Sequence, residues 1–526
     1  MSRSLRRWHL PLIVLLAALL RLWRLAAKPL WVDELYTTFY SLGKSFDEIP
    51  LNTLLPSSDY WSLLASPGTP GQAAQAVTVY SNHPPLFFMA MNRWLASVGT
   101  SVWSLRAFAV LWGVVAVVGM FYLGRQVAGP QVGKLAALLL AVSPYGIYLS
   151  QEARHYSLAV AIAIFSLIQW TALLQGKRSP GRWLSWIILN GLGPYIHYFY
   201  AFCIIAQWLV ALGYLLRQRR PAWLLAMVAT GLLYIPLLPT AITHFQGDSG
   251  TSWLSQSTPL WQTVILPWVQ SLVAGVFMLV LLPVEQVPLG VTIPSALIML
   301  GVFGVVLRQF IKGAAKEPLL SMGSPLVLYG AVVFGVMLGI TYGLGKDLTL
   351  APRYFFMLYP AIPLLLALGL RHCKPWVWGV AIAAGLVSQL LIAQDIALLK
   401  PYLPGQVGRR LAAADKPTVV LVAPQQASYR ARALSYILAI PADSSVAQVA
   451  FTEPARTELW QPVLNNSDAL PTGEVALWLV EPRRSEPFPK NVVLPRHHCG
   501  LQGDRIKTEG TRQQLYQCRG VADRKD

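Results

Sequence analysis

The sequence predicts an α-helical polytopic membrane protein of about eleven transmembrane helices, followed by a small extracytoplasmic α/β domain. Three observations carry that expectation. Of the 526 residues, 55% are hydrophobic and only 12% charged, whereas soluble proteins average about 25% charged. Apolar runs of membrane-crossing length, roughly 17 to 25 residues, recur as far as Gln394. Beyond Gln394 they stop, and short strand-like and helix-like stretches replace them.

The first run, "MSRSLRRWHLPLIVLLAALLRLWRL", has the basic start and apolar middle of a signal peptide. Arg21, Trp23 and Arg24 stand where small cleavage-site residues would be needed, so it reads as a retained first helix. Arg21 and Arg24 are expected to snorkel towards headgroups, close enough in sequence to Asp33 to help bind a phosphate. Further spans are expected near 104–124, 135–151, 157–174, 183–200, 201–216, 222–240, 290–308, 323–344, 354–370 and 376–394.

Charge orients them. Arg3, Arg6, Arg7, Arg125, Lys134, Lys177, Arg178, Arg182, Arg217, Arg219, Arg220, Arg308, Lys312, Lys316, Arg371 and Lys374 fall in alternate short loops with one acid, Glu317. The other loops hold Asp33, Glu34, Asp47, Glu48, Asp59, Glu152, Asp248, Glu285 and Asp347. The positive-inside rule then places the N-terminus in the cytoplasm and the C-terminal domain outside a cell (inner or plasma) membrane. The net charge of +19 is thereby a feature of topology, and nucleic acid is not an expected partner. Two stretches would break the alternation if each spanned alone. Residues 84–99 are short and carry Arg93, so they read as a helix in the outer interface. Residues 263–283 read as re-entrant or interfacial, with a full span left open by their length.

The expected division is a membrane domain, 1–394, whose first outer loop 28–103 carries interfacial helices, and a soluble domain, 395–526. In the latter, "PTVVLVA" and "EVALWLVE" read as strands and "ASYRARALSYILA" as a helix. Cys499 and Cys518 lie together there, and an oxidising compartment favours their disulfide. Cys203 and Cys373 are expected to be free thiols.

On the outer side, polar residues from distant segments converge. Asp33 and Glu34 follow the first span, and His83 closes the long loop. Glu152, Arg154, His155 and Tyr156 join the third and fourth spans; His197 and Tyr198 top the fifth, and Arg353 precedes the tenth. Each has a bland explanation: a helix cap for the two acids, a helix start for His83, an interfacial ion pair for Glu152 and Arg154, an interface position for His197, snorkelling for Arg353. Charges at this depth are costly, so the set as a whole points to a site. Carboxylates beside arginines and histidines suit a reaction between an acceptor nucleophile and an anionic leaving group. No His/Cys/Asp cluster has metal spacing, and there is no P-loop or Rossmann glycine pattern.

"WVDE", "NHPPL", "AALLLAVSPYGIYLSQEARHYSLAVA" and "APRYFFMLYP", in that order, resemble the GT-C glycosyltransferases. More narrowly they resemble the family-39 group of protein O-mannosyltransferases and the bacterial aminoarabinose transferase of lipid A. The resemblance covers the first five spans and the "RYFFMLYP" region; 241–320 and the C-terminal domain match only in layout. It implies transfer of a hexose or pentose from a polyprenyl-phosphate donor to an envelope acceptor, with inversion, on the outer face. By resemblance Asp33 is the catalytic base, Glu34 supports it, and Glu152 is a second acid. His83, Arg154, His155, Tyr156, His197, Tyr198 and Arg353 become candidates for the donor phosphate or sugar. A divalent metal is left open, since some such enzymes bind one and others do not. A transporter or flippase for lipid-linked sugars is the alternative, although its polar residues would gather at the midplane of repeated halves. An envelope assembly protein is a third reading, for which eleven spans are excessive.

Overall fold

A computed structural model of the chain describes residues 9–218, 221–246, 252–255, 259–321, 324–397, 402–424, 427–452, 458–481, 487–508 and 511–520. Arg3, Arg6, Arg7, Arg219, Arg220 and Asp248, used above for topology, lie outside them. The helices are α1 (His9–Leu22), α2 (Val32–Leu42), α3 (Pro70–Tyr80), α4 (Leu86–Val98), α5 (Val102–Ala128), α6 (Pro130–Val142), α7 (Pro144–Ser150), α8 (Tyr156–Leu174), α9 (Pro180–Ile196) and α10 (Tyr200–Gln218). They continue as α11 (Pro221–Leu232), α12 (Leu238–Gln246), α13 (Leu260–Phe277), α14 (Leu289–Ala314), α15 (Pro325–Gly343), α16 (Ala361–Leu370), α17 (Pro375–Ile392), α18 (Pro404–Leu411) and α19 (Ala427–Ile437).

By packing, the chain divides into two units. The first comprises Met1–Leu25, Val77–Met91 and Trp103–Leu398; the second comprises Ala26–Ala76, Asn92–Val102 and Leu399–Asp526. Among the described residues of the first, eight helices are long and apolar enough to cross a membrane, or nine if the bent pair α6 and α7 is one span. Helices α1 and α16 are apolar but shorter. Segment 263–283 falls mainly in α13, an unbroken helix of 18 residues that meets the length for a crossing. Leucines and isoleucines on α11 and α14, such as Leu224, Leu225, Leu297 and Ile298, are exposed, as lipid-facing side chains are. At the loop ends of this unit, the acid Glu317 is buried and pairs with Arg371 at 2.5 Å, linking the segments after α14 and α16.

The expected span 135–151 is bent by 62° between α6 and α7. Pro144 causes the break: it has no N–H for the carbonyl of Leu140, four residues earlier. Arg21 supplies the missing donors. Its Nη2 donates to Leu140 O at 3.1 Å, Nη1 to Ala141 O at 2.9 Å, and Nε to Ser150 Oγ at 3.1 Å. Arg21 is fully buried, so the expectation that it snorkels is corrected; only Arg24 is exposed. The joint is reciprocal. Gln151 Nε2 donates to the carbonyls of Arg21 and Trp23 at the end of α1, at 3.0 and 3.3 Å. Gly113 on α5 makes room, because a Cβ there would meet the Ser150 hydroxyl and lie 3.1 Å from Arg21 Nε.

The second unit is built on a seven-stranded sheet. The strands are β1 (Thr418–Val422), β2 (Val446–Phe451), β3 (Leu459–Trp460), β4 (Val475–Glu481), β5 (Asn491–Leu494), β6 (His497–Thr508) and β7 (Thr511–Gly520), in the order β2-β1-β4-β7-β6-β5-β3. β1 lies parallel between β2 and β4, while β4, β7, β6 and β5 pair antiparallel in turn. Cys499 on β6 faces Cys518 on β7, and the two form a disulfide. Cys203 and Cys373 are free. The loop after α2 packs here: Leu54 sits in the sheet's core at 2% exposure, and Tyr60 Oη donates to Val449 O at 3.1 Å. Asn466 clasps Leu54 from both sides, accepting its N–H and donating to its carbonyl, each at 2.8 Å.

Arg21→Leu leaves the Leu140 and Ala141 carbonyls buried without their donor. It is expected to destabilise the protein by about 2–4 kcal/mol, read as a lower unfolding midpoint in detergent. An unchanged midpoint would show that the bend does not need the arginine.

Candidate functional site

The bend at Pro144 ends α7 at Ser150, and residues 151–155 then turn into α8. Every residue of this turn is buried, including Glu152 at 3%, Arg154 at 4% and His155 at 0% exposure. Most buried polar groups have hydrogen-bond partners, and the surrounding residues supply several of them here. His83, from the "NHPPL" segment, receives an N–H from Arg154 Nη2 on its Nε2 at 3.2 Å. Its Nδ1 faces Ser81 Oγ at 2.9 Å. Since guanidinium can only donate, Nε2 must carry the lone pair and Nδ1 the proton, which makes His83 a neutral imidazole. Burial, with the Arg154 charge second, holds it well below the usual histidine range.

His155 stacks on Tyr156 and His197, with ring centroids 4.9 and 4.4 Å apart. His83 meets it edge-on at 4.9 Å. Neither His155 nitrogen has a hydrogen-bond partner among the described residues. Burial, then the neighbouring His197 and Arg154, keep it well below 6.5. His197 accepts the Phe199 N–H on Nδ1 at 3.0 Å. The Arg154 guanidinium lies 5.7 Å from the centre of the Tyr156 ring. The stack therefore holds three imidazoles whose lone pairs do not converge: two rings are parallel, and two nitrogens are already acceptors. Among the described residues no three His, Cys, Asp or Glu side chains are placed to hold a metal ion.

Arg353 arrives on the turn Pro352–Met357 before α16. Tyr145 of α7 holds that turn, donating towards the carbonyls of Pro352 and Arg353 at 3.1 and 3.2 Å. Phe356 packs it against Tyr156 and His197, at 5.2 and 4.7 Å between centroids, and the Arg353 charge reaches His83. Tyr198 turns instead to His244 on α12, whose Nδ1 it meets at 2.8 Å; His244 Nε2 meets Thr78 O at 3.1 Å. The structure thus groups His83, Glu152, Arg154, His155, Tyr156, His197 and Arg353, with Tyr198 in a neighbouring pair. Ser81, His244 and Phe356 were missed in the sequence, where Ser81 directly precedes "NHPPL" and His244 closes an apolar run.

Asp33 and Glu34 belong to the second unit, in the first turn of α2. Glu34 is fully buried, whereas Asp33 is half-buried, so the reading of both as a solvated cap does not hold for Glu34.

The histidines carry a pH dependence whose sign is fixed by their direction of shift. The unfolded chain binds protons near pH 6.5, and the folded His83 and His155 only well below that. Stability is therefore full above about pH 6.5 and declines as pH falls below it. His155→Phe keeps the ring and removes one such group. Its unfolding midpoint is expected to exceed that of the wild type at pH 5, with the difference shrinking by pH 8.

Residues 82–243, which contain this cluster except Arg353, match the family model for Dolichyl-phosphate-mannose-protein mannosyltransferase. Among solved structures, ArnT from Cupriavidus metallidurans bound to undecaprenyl phosphate is 12% identical, with TM-score 0.50, over 97% of this chain and 98% of its own. AglB, the oligosaccharyltransferase from Archaeoglobus fulgidus, in complex with an inhibitory peptide and a dolichol-phosphate, is 14% identical with TM-score 0.43, over 88% of this chain and 63% of its own. A comparison with curated proteins finds no match. At 12% identity the likeness to ArnT is one of fold. The chain is a multi-helix membrane protein that shares the fold of ArnT and, over residues 82–243, resembles the protein mannosyltransferases.

Proposed function

We propose that the protein is an integral membrane glycosyltransferase that moves a sugar, a hexose or a pentose, from a polyprenyl-phosphate donor to an envelope acceptor. Transfer takes place on the outer face of the cell membrane and inverts the anomeric carbon. The observation that carries this reading is Arg154, buried between the neutral His83 and the Tyr156 ring inside the segment that matches the mannosyltransferase family. The planar donors of a buried guanidinium suit a phosphate oxygen. The fold shared with a protein that holds undecaprenyl phosphate supports a lipid-linked donor.

In the proposed reaction an acceptor hydroxyl attacks the anomeric carbon and its proton passes to the Asp33 carboxylate. The bond from that carbon to the phosphate oxygen breaks, and polyprenyl phosphate leaves with its charge met by Arg154 and Arg353. Asp33 rather than Glu34 takes the base role because it is half-exposed and Glu34 is fully buried. Glu34, Glu152, His155, His197, Tyr156 and Tyr198 shape or orient the site. The donor lipid, the acceptor and the bilayer are the partners; the sugar is set by the shape of the site.

Sugar transfer by purified protein in lipid vesicles tests this, with labelled polyprenyl-phosphate sugars as donors and an envelope extract as acceptor. Asp33→Asn is expected to lower kcat roughly 10²–10⁴-fold while the protein stays folded. Arg154→Gln is expected to lower kcat/KM for the donor about 10–100-fold, the value of one charge-assisted hydrogen bond. Equal transfer by Asp33→Asn would move the base to Glu152. Movement of the lipid-linked sugar between leaflets without transfer would favour a flippase.

A further inference from the structure

Helix α2 begins without a side-chain cap of its own. Its N-cap is Trp31, whose side chain makes no capping hydrogen bond, although the first N–H groups of any helix have no partner within it. The cap comes instead from the C-terminal domain. Tyr402 Oη accepts the Val32 N–H at 2.7 Å, across 370 positions of sequence. Tyr402 Oη also lies 3.2 Å from Ser435 Oγ on α19, and Ser435 donates to the Arg432 carbonyl at 2.5 Å. One assignment of protons satisfies this chain: Val32 N–H to Tyr402, Tyr402 O–H to Ser435, Ser435 O–H to backbone. The tyrosine is 1% exposed, and the Arg432 guanidinium sits 5.1 Å from its ring centre.

The same helix α19 grips the other end of α2. Arg430 Nη1 reaches Asp47 Oδ1 at 3.3 Å and Phe46 O at 3.5 Å, and the Phe46 ring stacks on Phe39 of α2 at 4.2 Å. Before α2, Pro29 lies against Gly405 of α18, where a Cβ would come within 3.1 Å of Pro29 Cγ. The helix that carries Asp33 and Glu34 is therefore held at its first turn, its last turns and its entry by α18, α19 and the segment before them.

We infer that Tyr402 is a positioning residue for the Asp33–Glu34 turn, acting through the Val32 amide. The C-terminal domain thereby sets the direction in which the Asp33 carboxylate points, and this inference rests on Asp33 being the base. Loss of the hydroxyl leaves a buried N–H without its acceptor and frees the first turn to shift. Small displacements of a catalytic group cost rate more than affinity for a substrate bound elsewhere.

The test compares kcat, donor KM and the fraction of folded protein for Tyr402→Phe, Ser435→Ala, Asp33→Asn and Tyr402→Phe combined with Asp33→Asn. The expected result is a kcat about 10–100-fold lower in Tyr402→Phe at unchanged donor KM. Ser435→Ala, which removes only the support, shifts kcat in the same direction by less and stands in if Tyr402→Phe does not fold. The combined variant loses no more than Asp33→Asn alone, since both act through one carboxylate. Asp33→Asn inactive with Tyr402→Phe and Ser435→Ala at full kcat per folded molecule would overturn the inference while leaving the base in place. Asp33→Asn at full activity would overturn the base assignment, and the inference with it.

Discussion

The membrane unit depends on one constraint: a proline in the middle of an apolar run must have its lost hydrogen bond replaced from elsewhere. In hydrocarbon no water can do this, and each unsatisfied carbonyl costs several kcal/mol. Arg21 meets that constraint for Leu140 and Ala141. A charged side chain is tolerated there because four of its five N–H groups donate to carbonyls or a hydroxyl. The return contacts from Gln151 to the end of α1 make the two helices complete one another. The turn that follows, 151–155, inherits its position from this joint.

In that turn the histidines add polar groups without adding charge. His83 and His155 are neutral because burial and the adjacent Arg154 both oppose protonation. The imidazoles then act as uncharged packing around the two arginines, one accepting a guanidinium N–H and the others stacking with tyrosine and phenylalanine rings.

The second unit holds a segment of the first long loop by its own packing. Its sheet takes Leu54 as a core residue; Tyr402, backed by Ser435 of α19, holds the start of α2, and Arg430 of α19 holds Asp47 just beyond its end. A loop tens of residues long would otherwise carry its two acids on a short helix, and short helices are marginal without tertiary packing.

Hydropathy and loop charge were enough to predict the helical membrane architecture, and strand patterning enough to predict β1, β4 and α19 within a residue or two. Those signals are local, a matter of which side chains prefer lipid, water or a pleated sheet. Four motifs likewise marked His83, Glu152, Arg154, His155 and Arg353 as members of one set, because costly polar residues in apolar surroundings stand out in any sequence. Other features depended on contacts that no local pattern records. Arg21 looks like a snorkelling residue until α6 is seen to break beside it, and α13 forms an unbroken helix where charge alternation alone argued against a span. The partner of Val32 lies 370 positions away, and a tyrosine hydroxyl leaves no periodicity to read. Composition and spacing thus indicated a helical membrane protein and singled out the polar residues proposed for its site. Tertiary structure decided which hydrogen bonds hold them, because those bonds join groups that only folding brings within 3 Å of each other.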